Sequence, residues 1–288
     1  MTTRTKTLAA GVLVAAGFLW LYRQVLLTLV AAWWTDDNYS HGFLIVPIAA
    51  YFAWERRARF AAAPFRPTLT GLVVVVGSLM VLAAGVLGAE LFGTRISIVG
   101  TLAGVVLFLF GWARLRVMAF PLAFLLLMIP LPAIIFNQVT FPLQLLASRV
   151  GEFALGSVDI PVLREGNVLV LANTTLEVAE ACSGIRSLVS LLTLGIVYGY
   201  FADRRTWVRA VIACSTIPVA ILTNGARVAG TGIAVHFAGP AAADGFIHES
   251  AGWAVFIMAF FLMVGVHRLI ARVFPLRSTP SPIVAAAS

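Results

Sequence analysis

Three residues of this chain have the types needed to break and remake a peptide bond: Cys182, Arg227 and His248. Cys182 lies in Glu180-Ala181-Cys182-Ser183-Gly184-Ile185-Arg186, where a polar segment meets an apolar run. A thiol attacks only as its thiolate, and a helix N-terminus with cationic neighbours favours that form. Arg186, one turn further along, and Arg227 can supply the positive charge, whereas Glu177 and Glu180 oppose it unless they pair with those arginines. His248 titrates near neutral pH, so it can protonate a departing amine and later take a proton from the acceptor that resolves a thioester. Arg227 keeps its proton at working pH and is suited to holding an oxyanion. The set fits a membrane-embedded cysteine transpeptidase or protease.

Each residue also has a plainer reading. A lone cysteine in an apolar chain is usually a small buried hydrophobe, which is the expectation for Cys214. His248 could merely end a helix, and Arg227 could cap helix carbonyls or bind lipid phosphate. His41, in Asn38-Tyr39-Ser40-His41-Gly42, could join the site, although turn formation by Asn, Ser and Gly explains that motif too. His236 and His267 read as structural. Ser183 is a possible nucleophile, but no Gly-x-Ser-x-Gly elbow surrounds it and the adjacent thiol is the better one. His248-Glu249 is followed by Gly252 where the helical zinc-protease pattern needs a second histidine. With no Walker-type glycine loop either, neither a metal nor another cofactor is expected.

The elements that must position these residues are set by composition. With 61% hydrophobic and 11% charged residues in 288 and a mean hydropathy of +0.99, the chain reads as a polytopic membrane protein. A bilayer core of about 30 Å takes roughly 20 apolar residues per helix. The apolar runs expected to span are 8–34, 42–54, 69–88, 96–113, 117–136, 184–201, 207–223 and 251–266, giving an all-α fold of about eight transmembrane helices. Arg23 interrupts the first, and the preferred reading is that the span gives way there to an interfacial helix with Trp33 and Trp34 at headgroup depth. Residues 1–277 form one membrane domain, and the tail 278–288 is expected to be disordered.

The formal charge of +8 is spread in short clusters between apolar runs, so it reads as topology rather than a nucleic-acid footprint. Arg4, Lys6, Arg56, Arg57, Arg59, Arg66, Arg114, Arg116, Arg204, Arg205, Arg209, Arg268, Arg272 and Arg277 fall on one side. Only Arg95, Arg149, Arg164, Arg186 and Arg227 fall on the other. This asymmetry places both termini in the cytoplasm, with the first span as an uncleaved anchor, and puts Cys182, Arg227 and His248 at the outer face, each beside the end of a span. The outer segment 137–183 follows a Pro130-Leu131-Pro132 break. Residues 138–157 have helical spacing and should lie along the membrane surface. Val168, Val170, Leu176 and Val178 alternate around Ala172-Asn173-Thr174, predicting a β-hairpin that delivers the chain to Cys182. Cys182 and Cys214 should differ in depth by about 10 Å, too far for a disulfide.

Taken together, Glu180-Ala181-Cys182-Ser183-Gly184-Ile185-Arg186-Ser187-Leu188, Asn224-Gly225-Ala226-Arg227-Val228 and His248-Glu249-Ser250-Ala251-Gly252-Trp253 resemble the three signature blocks of the exosortase and archaeosortase family. Arg164-Glu165-Gly166-Asn167 and Tyr39-Ser40-His41-Gly42 match as well, so the resemblance runs from about residue 30 to about 270. It implies catalytic roles for Cys182, Arg227 and His248, supported by Glu180, Ser183, Gly184, Arg186, Asn224 and His41. It also implies a multi-pass enzyme of the bacterial inner membrane acting at the extracytoplasmic face. Its partners would be membrane lipids and exported proteins that carry a C-terminal signature such as Pro-Glu-Pro, a transmembrane helix and a basic end. Chemistry by analogy with soluble sortases leaves transfer to an acceptor and hydrolysis both open. The competing class is a non-enzymatic transporter or lipid-binding protein whose outer polar cluster is a binding site.

Overall fold

Apolar runs in lipid become helices because the backbone must satisfy its own hydrogen bonds there. The computed structural model describes residues 3–172, 174–178, 184–239 and 246–275. Glu180, Cys182, Ser183, the hairpin-tip Asn173 and the tail from Ser278 lie outside the described residues. The helices are α1 (Thr3–Thr35), α2 (Gly42–Glu55), α3 (Arg57–Ala62), α4 (Leu69–Leu87), α5 (Leu91–Phe110), α6 (Trp112–Phe124) and α7 (Ala133–Gly156). Strands β1 (Val162–Glu165), β2 (Val168–Leu171) and β3 (Thr175–Glu177) follow, then α8 (Gly184–Ala202), α9 (Thr206–Ala238) and α10 (Phe246–Val273).

Among the described residues five helical segments are long and apolar enough to cross a membrane: Gly11–Thr35, α4, α5, α9 and Gly252–Val273. A sixth is added if Trp112–Met128 and Ala133–Gly156 count as one bent span. The eight runs read from the sequence also include α2, of 14 residues, and the apolar Leu188–Ala202 part of α8, both shorter than a full crossing. The chain is thus a mostly helical polytopic membrane protein with one small sheet.

The chain divides into two compact units, Met1–Ile135 and Phe136–Ser288. In the first, α4 and α5 pack as a hairpin in which Gly71 and Gly104 leave room for the facing backbone, since a Cβ at Gly71 would meet the backbone of Phe108. Phe52 of α2 packs edge-on against Phe120 and Phe124, with ring centroids 5.1 and 5.3 Å away. α1 continues unbroken through Arg23, whose guanidinium stacks on Trp20 at 4.4 Å. The expected break at Arg23 is therefore corrected: the cation finds an aromatic partner one turn back and the helix need not end. Trp33 packs against protein, whereas its neighbour Trp34 is exposed. Trp33 is buried, and its indole N–H donates to the Met128 carbonyl at 2.9 Å.

Two further boundaries differ from the sequence reading. The fifth apolar run stops at Met128, and residues 133–136 already belong to α7 beyond the proline break. More consequentially, α9 does not stop at residue 223 but runs 33 residues to Ala238.

In the second unit the sheet is an antiparallel meander in the order β1-β2-β3. The β2–β3 hairpin is where alternation placed it. β1 is additional, joined to β2 by the two-residue turn Gly166-Asn167, with Gly166 at φ +68° as a type II′ turn uses at its first central position. One face of the sheet, carrying Leu169, Leu171, Leu176 and Val178, shares a core with Ala147 and Leu155 of α7 and Val228, Ala229 and Val235 of α9.

Candidate active site

α8 and α9 are joined by residues 203–205 alone, which forces them antiparallel. Core pairs set the register of α8, α9 and α10: Ile212 shares a cluster with Met263 and Tyr198, and Ala220 shares one with Leu191 and Ala259. Seven residues make two turns, about 10.5 Å. Moving that far from Leu191, Ala220 and Ala259 toward the same end of the bundle leads to Gly184, Arg227 and Gly252. The contacts agree with this register, because a Cβ built on Gly252 would lie 4.0 Å from Nη2 of Arg227. His248 stands one turn before Gly252 in α10, and Gly184 opens α8 two positions after Cys182. For Arg186 and His248 the backbone alone is described, in the first turn of α8 and of α10.

The sequence reading put Arg227 and His248 beside span ends. His248 stands in the first turn of α10, four residues before the candidate span Gly252–Val273, whereas Arg227 lies within α9, which continues past it to Ala238. Asn224-Gly225 has turn-forming composition, yet tertiary packing keeps it helical. Val150 of α7 sits in the notch that Gly225 leaves, so a Cβ there would overlap the valine side chain. Asn224 is buried at 7% exposure, one turn before Arg227.

The sheet brings the chain toward Cys182 along a fixed path. Three residues of α7 at helical spacing, Gln144, Ser148 and Glu152, dock the β1–β2 turn. Arg164 Nε donates to Glu152 Oε2 at 2.7 Å while its Nη1 donates to the Gly166 carbonyl at 3.2 Å. Ser148 Oγ donates to the same carbonyl at 3.0 Å, and Asn167 Nδ2 reaches Gln144 Oε1 at 3.5 Å. The Asn167 carbonyl then accepts from Val178 N–H at 2.9 Å. The chain is held as far as Val178, four residues before Cys182, and Val178 itself is fully buried. Sequence reasoning missed this docking stripe, although three polar residues at i, i+4 and i+8 on an apolar helix were its visible signal.

His41 belongs to the first unit. Its Nε2 lies 3.2 Å from the Leu127 carbonyl, and burial pushes the imidazole below its ordinary range, so the neutral ring donates Nε2–H to that carbonyl. With Trp33 on Met128, it secures the backbone ahead of the proline break. Cys214 is free and exposed on the surface of α9, correcting the expectation of a buried residue. His236 lies exposed against Phe237, with ring centroids 5.0 Å apart. At the end of the bundle remote from Arg227, Asp203 is buried and bound by Arg205 at 2.7 Å. That pairing holds its carboxyl down to about 2. His267 Nε2 lies 3.6 Å from the same carboxylate, and its Nδ1 accepts from the Tyr198 hydroxyl at 2.9 Å. Among the described residues no group of histidine, cysteine or carboxylate side chains could hold a metal ion.

No curated protein and no solved structure matches the chain. The profile of the transmembrane exosortases does, over residues 33–265, a stretch that takes in Cys182, Arg227 and His248 as well as the docking turn and His41. With most of its length matched, from the end of α1 to well into α10, the chain belongs to the transmembrane exosortase family.

Proposed function

We propose that the chain processes C-terminal sorting tails of exported proteins by cysteine attack on the substrate backbone. The Cys182 thiolate adds to a backbone carbonyl carbon, the carbon–nitrogen bond breaks, and His248 gives the departing amine its proton. The acyl group stays on Sγ as a thioester. An acceptor amine or water then adds to that carbonyl, His248 takes its proton, and the carbon–sulfur bond breaks to regenerate the thiolate. Arg227 holds the oxyanion in both steps, and its fixed position inside a helix suits that role, because a preorganised donor needs no rearrangement as charge develops. Glu180, Ser183, Gly184, Arg186 and Asn224 frame the substrate around these groups.

The observation that carries this reading is the place of the Arg227 guanidinium, beside Gly252 and one turn from His248, at the level where α8 begins. Family membership supports a substrate with a C-terminal signature, a transmembrane helix and a basic tail. The arginine asymmetry supports a plasma-membrane protein, bacterial by our reading, with cytoplasmic termini and the site on the outer face. The test is co-expression with a tail-bearing reporter. Cys182→Ala should leave the reporter unprocessed, while Cys214→Ala, whose thiol faces away from the helix bundle, should process it at the wild-type rate. Normal processing by Cys182→Ala would remove the nucleophile and the reading with it.

A further inference from the structure

A narrow, part-open cleft between α7 and α9, with room for about one water molecule, opens one helical turn from Arg227. Its apolar wall is built by Leu143, Ala147, Val178 and Ile221, and two carboxamides, Gln144 and Asn224, stand among them. Both carboxamides are placed by the fold. Asn224 is buried in α9, and Gln144 turns its oxygen toward Asn167, which leaves its NH2 to donate elsewhere. The cleft is also tied to the site along the chain. Val178, which lines the cleft, precedes Cys182 by four residues in the sequence. Asn224 precedes Arg227 by three residues of one helix.

We propose that this cleft is the subsite for a small apolar side chain on the amino side of the scissile bond, with Gln144 and Asn224 holding the peptide backbone beside it. The inference rests on the reading of Cys182 as nucleophile. An extended peptide brings one side chain and flanking N–H and C=O groups, and a narrow apolar slot beside two donor–acceptor amides matches that unit. The wall residues act as a size filter. Leu143 and Ile221 are only partly buried, so shortening them widens the slot, whereas Ala147 is buried.

The experiment uses reporters that differ only in the residue on the amino side of the cleaved bond, identified by mass spectrometry of the processed product. Wild type should process alanine at least about tenfold faster than tryptophan, since even single methylenes in an apolar pocket discriminate about 10- to 200-fold. Leu143→Ala and Ile221→Ala should each raise the tryptophan-to-alanine rate ratio at least about fivefold. Gln144→Ala should slow every reporter about tenfold and leave the ranking unchanged, as loss of a backbone contact does. A ratio in Leu143→Ala within about twofold of wild type, with the protein inserted and active on alanine, overturns the subsite and leaves the nucleophile standing.

A turnover-independent arm separates the two readings. In a chain carrying Cys182→Ser and Cys214→Ala, and with a mild thiol oxidant added to take up the two electrons, the single thiol of Gln144→Cys should form a disulfide with a cysteine at the varied reporter position and not with one ten residues away. Absence of that crosslink overturns the subsite. Normal processing by Cys182→Ala instead overturns the nucleophile, whatever the crosslink shows.

Discussion

At the scale of single residues the decisive group is Arg227, because charge and geometry make different demands on it. Lysine keeps the charge but cannot reproduce the planar fork of the guanidinium. Loss of an oxyanion donor costs about 10² to 10³ in rate, so Arg227→Lys should fall by that factor in initial processing rate at matched enzyme levels. Activity within about threefold of wild type would exclude the oxyanion role. Gly252 supplies a structural counterpart. A Cβ at 4.0 Å from Nη2 is an ordinary contact, so Gly252→Ala should be tolerated, whereas Gly252→Leu should displace the guanidinium and approach the defect of Arg227→Lys. The residue types of this site were legible in the sequence. The place of Gly252 was not, because a glycine four residues after a histidine gives no sign of the cation that will lie against it.

Among elements, α7 and α9 meet through side chains fitted into glycine notches: Val150 at Gly225, Val228 at Gly151, and Leu155 at Gly232. Gly225→Ala should cost about 1 to 3 kcal/mol through overlap with Val150. Adding Val150→Ala should recover most of it, a coupling readable by thermal unfolding in detergent. The same notch explains why the extent of α9 was misread: Asn224-Gly225 signals a turn locally, and packing overrides it. β1 escaped notice because Arg164 and Glu165 occupy half of its four positions, and its hallmark was the Gly166-Asn167 turn rather than alternation. β2 and β3 were legible because their buried faces alternate cleanly. At the other end of the bundle, Asp203 gives an acid signature. Its carboxyl is depressed from 3.8 to about 2, so the folded state binds fewer protons than the unfolded chain across that interval. The stabilisation is complete above about 3.8 and should be lost as pH falls toward about 2, and Asp203→Asn should abolish that leg of a melting-temperature profile.

For the molecule as a whole, orientation is the testable quantity. In a cysteine-free background, a thiol at exposed Ala172, in the β2–β3 connection, should react with a membrane-impermeant reagent applied to intact cells. One at exposed Ala62, at the end of α3, should react only after permeabilisation. The reverse pattern would move the site to the cytoplasm and end its role in processing exported proteins. The helical, membrane-embedded character of the chain was plain from hydropathy, but the division into two units was not, because apolar runs do not record which of them pack together.

The length of α9 has a consequence for where the chemistry stands. Its 33 residues extend about 50 Å, and the first twenty from Thr206 already cover the roughly 30 Å of a bilayer core. A bilayer core that began at Thr206 would end at Asn224 and Gly225, putting Arg227 at the lipid boundary and the α7–sheet core around Val228 and Val235 beyond it. A site at that boundary is sensitive to hydrophobic mismatch. Reconstituted into vesicles of increasing acyl length, the enzyme should pass through a rate maximum and then slow as the guanidinium and the incoming acceptor become submerged. A rate indifferent to thickness would place the reacting groups clear of the lipid boundary altogether.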